Sequence, residues 1–134
     1  MQASRVIDVP RDTLAPRRAR AALDDLDGID PSIVPDAKLL VSELVTNSLK
    51  YGGGGPVRIV LSSAGSGRLR CEVVDDGPGF APSARATDRP LTDVGGWGLH
   101  LVDRLADDWG VSPAPTHVWF ELAPAAERDG RRAR

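Results

Sequence analysis

A single cysteine, Cys71, stands in the 134 residues. No disulfide can form within the chain, and the composition fits a reducing compartment. Cys71 lies in a strand-like stretch and is expected to fill core space rather than react. A basic excess is also missing: 17 Lys and Arg stand against 19 Asp and Glu, a net charge of −2. That balance argues against a general nucleic-acid binder, which would neutralise phosphates with positive charge. No apolar run approaches the ~20 residues of a membrane span, and the N-terminus shows no signal-peptide pattern. The expectation is a cytoplasmic protein with neither a membrane nor a nucleic acid as direct partner. No internal repeat is visible. The length suits one domain with a single core and leaves no room for a second. At 41% hydrophobic and 27% charged residues, the balance is that of a folded soluble chain.

The most informative stretch is Leu39–Gly52, LLVSELVTNSLKYG. At 3.6 residues per turn, Leu40, Val41, Leu44 and Tyr51 share an apolar arc, which predicts a buried helix. Glu43 and Asn47, spaced i and i+4, lie one above the other at its border. The spacing also fits a solvated pair on the helix's outer edge. If the pair is buried, a carboxylate and an amide must find partners or a metal.

Around this helix the chain reads as follows. Residues 4–9 alternate weakly and stop at Pro10, a short strand at a sheet edge. A helix runs from near Leu14 to Leu26, with Pro16 in its first turn. Leu14, Ala21, Ala22 and Leu26 are expected on its inner face, and Arg17, Arg18 and Arg20 mostly outside. Gly28 ends it, and the central helix begins near Pro35 or Asp36. Gly52–Gly55 close that helix, and Val57–Ser63 and Arg68–Asp75 form a hairpin. Residues 81–95 are polar, proline-interrupted and aperiodic; a loop of that length in a compact domain is usually functional. A helix through about Ala106 and two strands, near Trp109–Val111 and His117–Leu122, finish the domain at residue 126. A charged, disordered tail is expected over 127–134. The order β-α-α-β-β-loop-α-β-β predicts an α/β sandwich with a mixed, mostly antiparallel sheet and helices packed on one face. A doubly wound fold is excluded, because strands and helices do not alternate.

Three segments carry chemistry: the Glu43/Asn47 helix, the strand end Asp75-Asp76-Gly77-Pro78-Gly79-Phe80, and Gly96-Trp97-Gly98 at a helix start. Glycines at a helix N-terminus let backbone N–H groups approach phosphate oxygens, where the helix dipole favours negative charge. Asp75, at a strand end and followed by glycines, can accept a hydrogen bond from a ligand amino group. Asn47 offers an oxygen to a hard cation such as Mg²⁺, and Glu43, one turn back, is placed to accept a proton from a water or hydroxyl. Each pattern alone is weak, but the three in this order are specific.

In that order they resemble the GHKL ATPase superfamily, which joins DNA gyrases, heat-shock chaperones, mismatch-repair ATPases and histidine kinases. Glu43-Leu-Val-Thr-Asn47 is similar to its N-box, Asp75-Asp-Gly77-Pro-Gly79 to its first glycine box, and Gly96-Trp-Gly98-Leu99 to its second. The resemblance implies the Bergerat ATP-binding fold, with residues 81–95 as a lid over the phosphates. It implies Asp75 on the adenine amine, Asn47 on Mg²⁺ and Glu43 as base. It also implies Gly77, Gly79, Gly96, Trp97, Gly98, Leu99 and Thr116 as nucleotide-binding. Only about 35 residues precede the central helix, too few for a dimerisation helix with a phosphoacceptor histidine, and no transducer domain is expected. The remaining branch is that of stand-alone anti-sigma-factor serine/threonine kinases. It implies a homodimer that binds ATP and Mg²⁺, phosphorylates an anti-anti-sigma factor and binds a sigma factor. The alternative is a non-catalytic ATP-binding module whose nucleotide state controls partner choice.

Two departures stand out. The N-box here ends Tyr51-Gly52 rather than His-Gly, and Pro115-Thr116-His117 replaces the glycine-threonine pair before the last strand. Arg85 and Arg89 in the lid are candidate phosphate partners. Trp97 either hinges the lid or fills the core, and His100 either meets a phosphate or faces solvent. His117 lacks companions at metal spacing, so no zinc site is expected.

Overall fold

The computed structural model describes residues 2–76, 99–112 and 117–127. The elements are β1 (Gln2–Val9), α1 (Ala15–Asp24), a 3₁₀ turn (Pro31–Ile33), α2 (Val34–Tyr51), β2 (Val57–Ala64), β3 (Leu69–Val74), α3 (Leu99–Leu105), β4 (Asp108–Ser112) and β5 (His117–Leu122). The strands form one sheet in the order β1-β2-β3-β5-β4. All four strand pairs are antiparallel, and the parallel contact among the described residues is an isolated bridge between Ile29 and Gly67. The element order and the α/β layering agree with the expectation, and β1 does lie at an edge.

Alternation builds the sheet. In β3 and β5 every second residue is buried, so Leu69, Cys71 and Val73 share a face with Val118, Phe120 and Leu122. Val57, Ile59 and Leu61 of β2 continue that face, and all nine belong to the core that the helices cover. Cys71 is fully enclosed, and burial pushes its thiol well above the usual range, which makes it inert filler.

α1 departs in phase from its expected inner face. Ala15, Ala19, Ala22 and Leu23 are buried, as is Leu26 beyond its end, whereas Leu14 is 44% exposed and Ala21 is exposed too. Leu14 is the residue before the helix rather than its first turn, so its side chain leaves the stripe. Ala21, two positions beyond Ala19, lies across the helix from it.

The opposite face of the sheet carries polar pairs. Arg58 holds Asp8 at 2.9 Å, Arg70 holds Glu121 at 2.9 Å, and His117 meets Glu72 at 2.9 Å. The Arg70 guanidinium lies 4.2 Å from the Trp119 ring centroid, a cation–π contact. The same indole lies across Gly110, where a Cβ would come within 2.6 Å of its nitrogen. At the C-terminal end, Glu127 ion-pairs with Arg68 at 2.6 Å, and the Ala125 N–H donates to Ser32 Oγ. Glu127, expected to start the charged tail, therefore sits in the fold, and residues 128–134 lie outside the described residues. No helix among the described residues is long and apolar enough to cross a membrane.

Candidate functional site

α2 buries Ala37, Leu40, Val41, Leu44, Val45 and Ser48. Glu43 and Asn47 lie on its partly exposed flank, stacked as their spacing requires. The amide nitrogen Nδ2 of Asn47 is buried and has no hydrogen-bond partner among the described residues. Such an atom lacks an acceptor that a ligand or water can supply.

Asp75 follows the last residue of β3 on the inward face and is only 3% exposed. A carboxylate so buried needs donors around it. Ser48 supplies one, its hydroxyl donating to Asp75 Oδ2 at 2.6 Å. Arg11, in the turn after β1, supplies the counter-charge: its Nη2 lies 3.9 Å from the same oxygen and donates to Ser48 Oγ at 3.3 Å. Its Nη1 donates to the Ser48 carbonyl at 2.6 Å. That carbonyl also accepts from the Gly52 N–H at 2.9 Å, so the arginine helps close the C-terminal end of α2, where cations are favoured. Gly52 explains how Asp75 comes so near the helix. A Cβ there would lie 2.5 Å from Asp75 Oδ2 and 2.6 Å from the Ser48 carbonyl oxygen, distances no side chain tolerates.

Asp12 fixes the turn that carries Arg11. Its carboxylate accepts from the Leu14 N–H at 2.9 Å and from Arg18 at 3.0 Å, and these bonds hold its pKa below the usual carboxylate range. Asp8, just before, is lowered in the same direction by its hydrogen bond to Arg58. A recess of about 230 Å³ lies alongside, lined by Asp8, Pro56, Arg58, Val74, Asp75 and Asp76. Asp8, Arg58 and Val74 are cross-strand neighbours on the face away from the helices, and Asp75 lines the recess at the strand end.

The site residues expected from the sequence divide clearly. Glu43, Asn47 and Asp75 stand on the two elements that build the site, α2 and the end of β3. Leu99 is the first residue of α3 and is fully buried in the core. Gly77, Gly79, Gly96, Trp97, Gly98 and Thr116 lie outside the described residues, as do the 81–95 loop and its Arg85 and Arg89. His100 is partly exposed in the first turn of α3. Sequence reasoning missed Ser48 and Arg11. Ser48 had a signal: a hydroxyl four residues after Leu44, on the buried arc, must have a partner. Arg11 had none, being one of several arginines between residues 11 and 20.

The helix bearing Glu43 and Asn47 and the buried strand-end aspartate both lie within the span that a family model matches. Residues 10–122 match the model of a family described as histidine kinase-like ATPase domain. The chain belongs to that family. No curated protein matches it. Among solved structures, it is similar to the RsbU and RsbW domains of Rv1364c from Mycobacterium tuberculosis, with 21% identity and a TM-score of 0.63 over 90% of this chain. It is also similar to the histidine kinase domain of the blue-light activated histidine kinase EL346 from Erythrobacter litoralis, with 22% identity and a TM-score of 0.58 over 92% of this chain. It spans 31% and 65% of those two chains. At such identities the likeness is one of fold. Membership of the histidine kinase-like ATPase family supports ATP binding.

Proposed function

We propose that this chain is a Mg-ATP-binding regulatory protein that acts as a serine/threonine kinase on an anti-anti-sigma factor and binds a sigma factor. The observation that carries the reading is Glu43 on the same flank of α2 as Asn47, one turn before it and partly exposed. A module that only binds nucleotide has no use for a carboxylate there, whereas a kinase uses one to accept the substrate hydroxyl's proton. Asp75 then reads the exocyclic amine of adenine.

The Asn47 amide suits a magnesium ion, which takes few protein ligands and is otherwise held by phosphates. Among the described residues, no group of three or more His, Cys, Asp or Glu is placed to hold a metal by itself, so the nucleotide would complete the site. The ion would neutralise phosphate charge during transfer. The glycine boxes would line the phosphates, and the protein would act as a homodimer whose partner differs between the ATP and ADP states. Such a switch requires that each nucleotide bind the two states with different affinity.

The test is incubation with radiolabelled ATP and a panel of candidate anti-anti-sigma proteins. Label should move to one of them with the wild-type chain. Glu43→Ala should still bind Mg-ATP in calorimetry yet transfer none. Transfer by Glu43→Ala at the wild-type rate would remove Glu43 as base. ATP binding with no transfer to any partner would favour the non-catalytic module.

A further inference from the structure

The network around Asp75 draws on distant parts of the chain. Its Oδ2 faces both the Ser48 hydroxyl at 2.6 Å and the Arg11 guanidinium at 3.9 Å. Arg11 is itself anchored on the Ser48 carbonyl at 2.6 Å, and its side chain is 18% exposed. Three segments distant in sequence, the turn after β1, the end of α2 and the end of β3, therefore meet on one carboxylate oxygen. We infer that Arg11 and Ser48 are positioning residues for base recognition: they hold Oδ2 so that the carboxylate is presented to the ligand's amino group in one orientation. The inference rests on the adenine reading of Asp75 and names residues that set its selectivity.

The physical argument is one of preorganisation. A free carboxylate rotates about its Cβ–Cγ bond, and a ligand must stop that rotation on binding. A bound ligand gains most from a carboxylate whose orientation is already set. The Ser48 hydroxyl donates to Oδ2, and the Arg11 guanidinium, itself bonded to Ser48, sets a counter-charge 3.9 Å from the same oxygen, which biases the plane of the group before the nucleotide arrives. Neither donor is placed to touch the ligand in this reading. Their loss should therefore weaken recognition of the amine and leave the rest of the nucleotide's binding unchanged.

The experiment is calorimetry of the full chain with Mg-ATP and with the triphosphate of purine riboside, which carries hydrogen in place of the 6-amino group. Wild type, Ser48→Ala and Arg11→Gln are compared, with thermal melts to confirm folding. The wild type should prefer ATP. Each variant should bind ATP about tenfold more weakly and the 6-hydrogen analogue as the wild type does, so the preference shrinks by the same factor. Arg11→Lys, which retains the charge, should recover part of the preference. A purely structural role would weaken both ligands together, and an unchanged ratio in the two variants overturns the inference while leaving the adenine reading intact. A wild type that binds both ligands equally overturns the adenine reading and this inference with it. If Arg11→Gln does not fold, Ser48→Ala decides alone, because it deletes one buried hydroxyl and otherwise favours the helix.

Discussion

Toward the C-terminal end of α2, Asp75 meets groups that the protein itself supplies: a serine hydroxyl, a guanidinium, and a glycine with no Cβ to intervene. On a partly exposed flank the same helix carries Asn47, the residue before Ser48, and Glu43 one turn earlier, and an Asn47 amide nitrogen is buried without a partner among the described residues. The Asp75 carboxylate has a donor and a counter-charge from the protein, whereas Asn47 Nδ2, like Arg11 Nε, is buried without a partner among the described residues. Recognition of a flat, neutral base rewards an orientation settled in advance. The handling of phosphates and a cation rewards groups whose partners arrive with the ligand. Under the proposed function, one helix would serve both tasks through residues that differ in how far their polar groups are already paired.

The sharpest way to break this contrast is Asp75→Ala. Nucleotide affinity should fall on the order of a hundredfold or more, because a charged acceptor is lost. The wild type should also reject GTP, whose carbonyl would face the carboxylate and leave two acceptors unpaired. Calorimetry showing equal affinity for ATP and GTP would refute the assignment.

A smaller effect is expected from the backbone beside Asp75. In Gly52→Ala the new Cβ meets the Ser48 carbonyl and Asp75, neither of which can swing aside as a long side chain would. Denaturant melts should show a loss of about 1–3 kcal/mol, together with weaker ATP binding. Gly54→Ala, which would meet nothing within 4 Å, should show neither loss. Equal behaviour of the two variants would contradict the packing described at Gly52.

Acid should give the smallest effect. Asp8 and Asp12, on either side of Arg11, have pKa values lowered by hydrogen bonds to Arg58 and Arg18, and Asp30 is lowered by Ser32. A carboxyl lowered in the folded state contributes stability above its unfolded pKa, and that contribution disappears as pH falls through the folded value. Thermal melts should therefore be level from neutral pH down to the ordinary carboxylate range and decline below it. Asp12→Asn should flatten part of that decline. Both pairs are largely exposed, so salt should reduce the effect.

Much of this was legible in the residues. Helical and strand periodicity placed α2 and the hairpin, because both elements bury one face against a common core. Leu69, Cys71, Val73 and Asp75 alternate in the sequence, and all four are buried. The first helix was shifted in phase, since Leu14 looked like the start of its apolar stripe and is instead the residue before it. Arg11 was invisible because its role depends on three segments meeting, a tertiary fact that leaves no local period. The sequence marks Gly52 only as one of four glycines that close the helix; its φ of −79° is ordinary, and what matters is the oxygen packed against it.

The position of β5 has a consequence for how the chain comes into being. Although it is the latest in sequence of the described strands, it lies between β3 and β4 rather than at an edge. Until residues 117–122 are available, one side of β3 is a bare row of amides and carbonyls, the kind of edge that recruits foreign strands. The nascent protein therefore cannot complete its sheet piecemeal from the N-terminus. Its assembly waits on contacts between residues far apart in sequence, which are slow to find. During that wait the Leu69–Val74 edge is the segment most in need of a chaperone's cover.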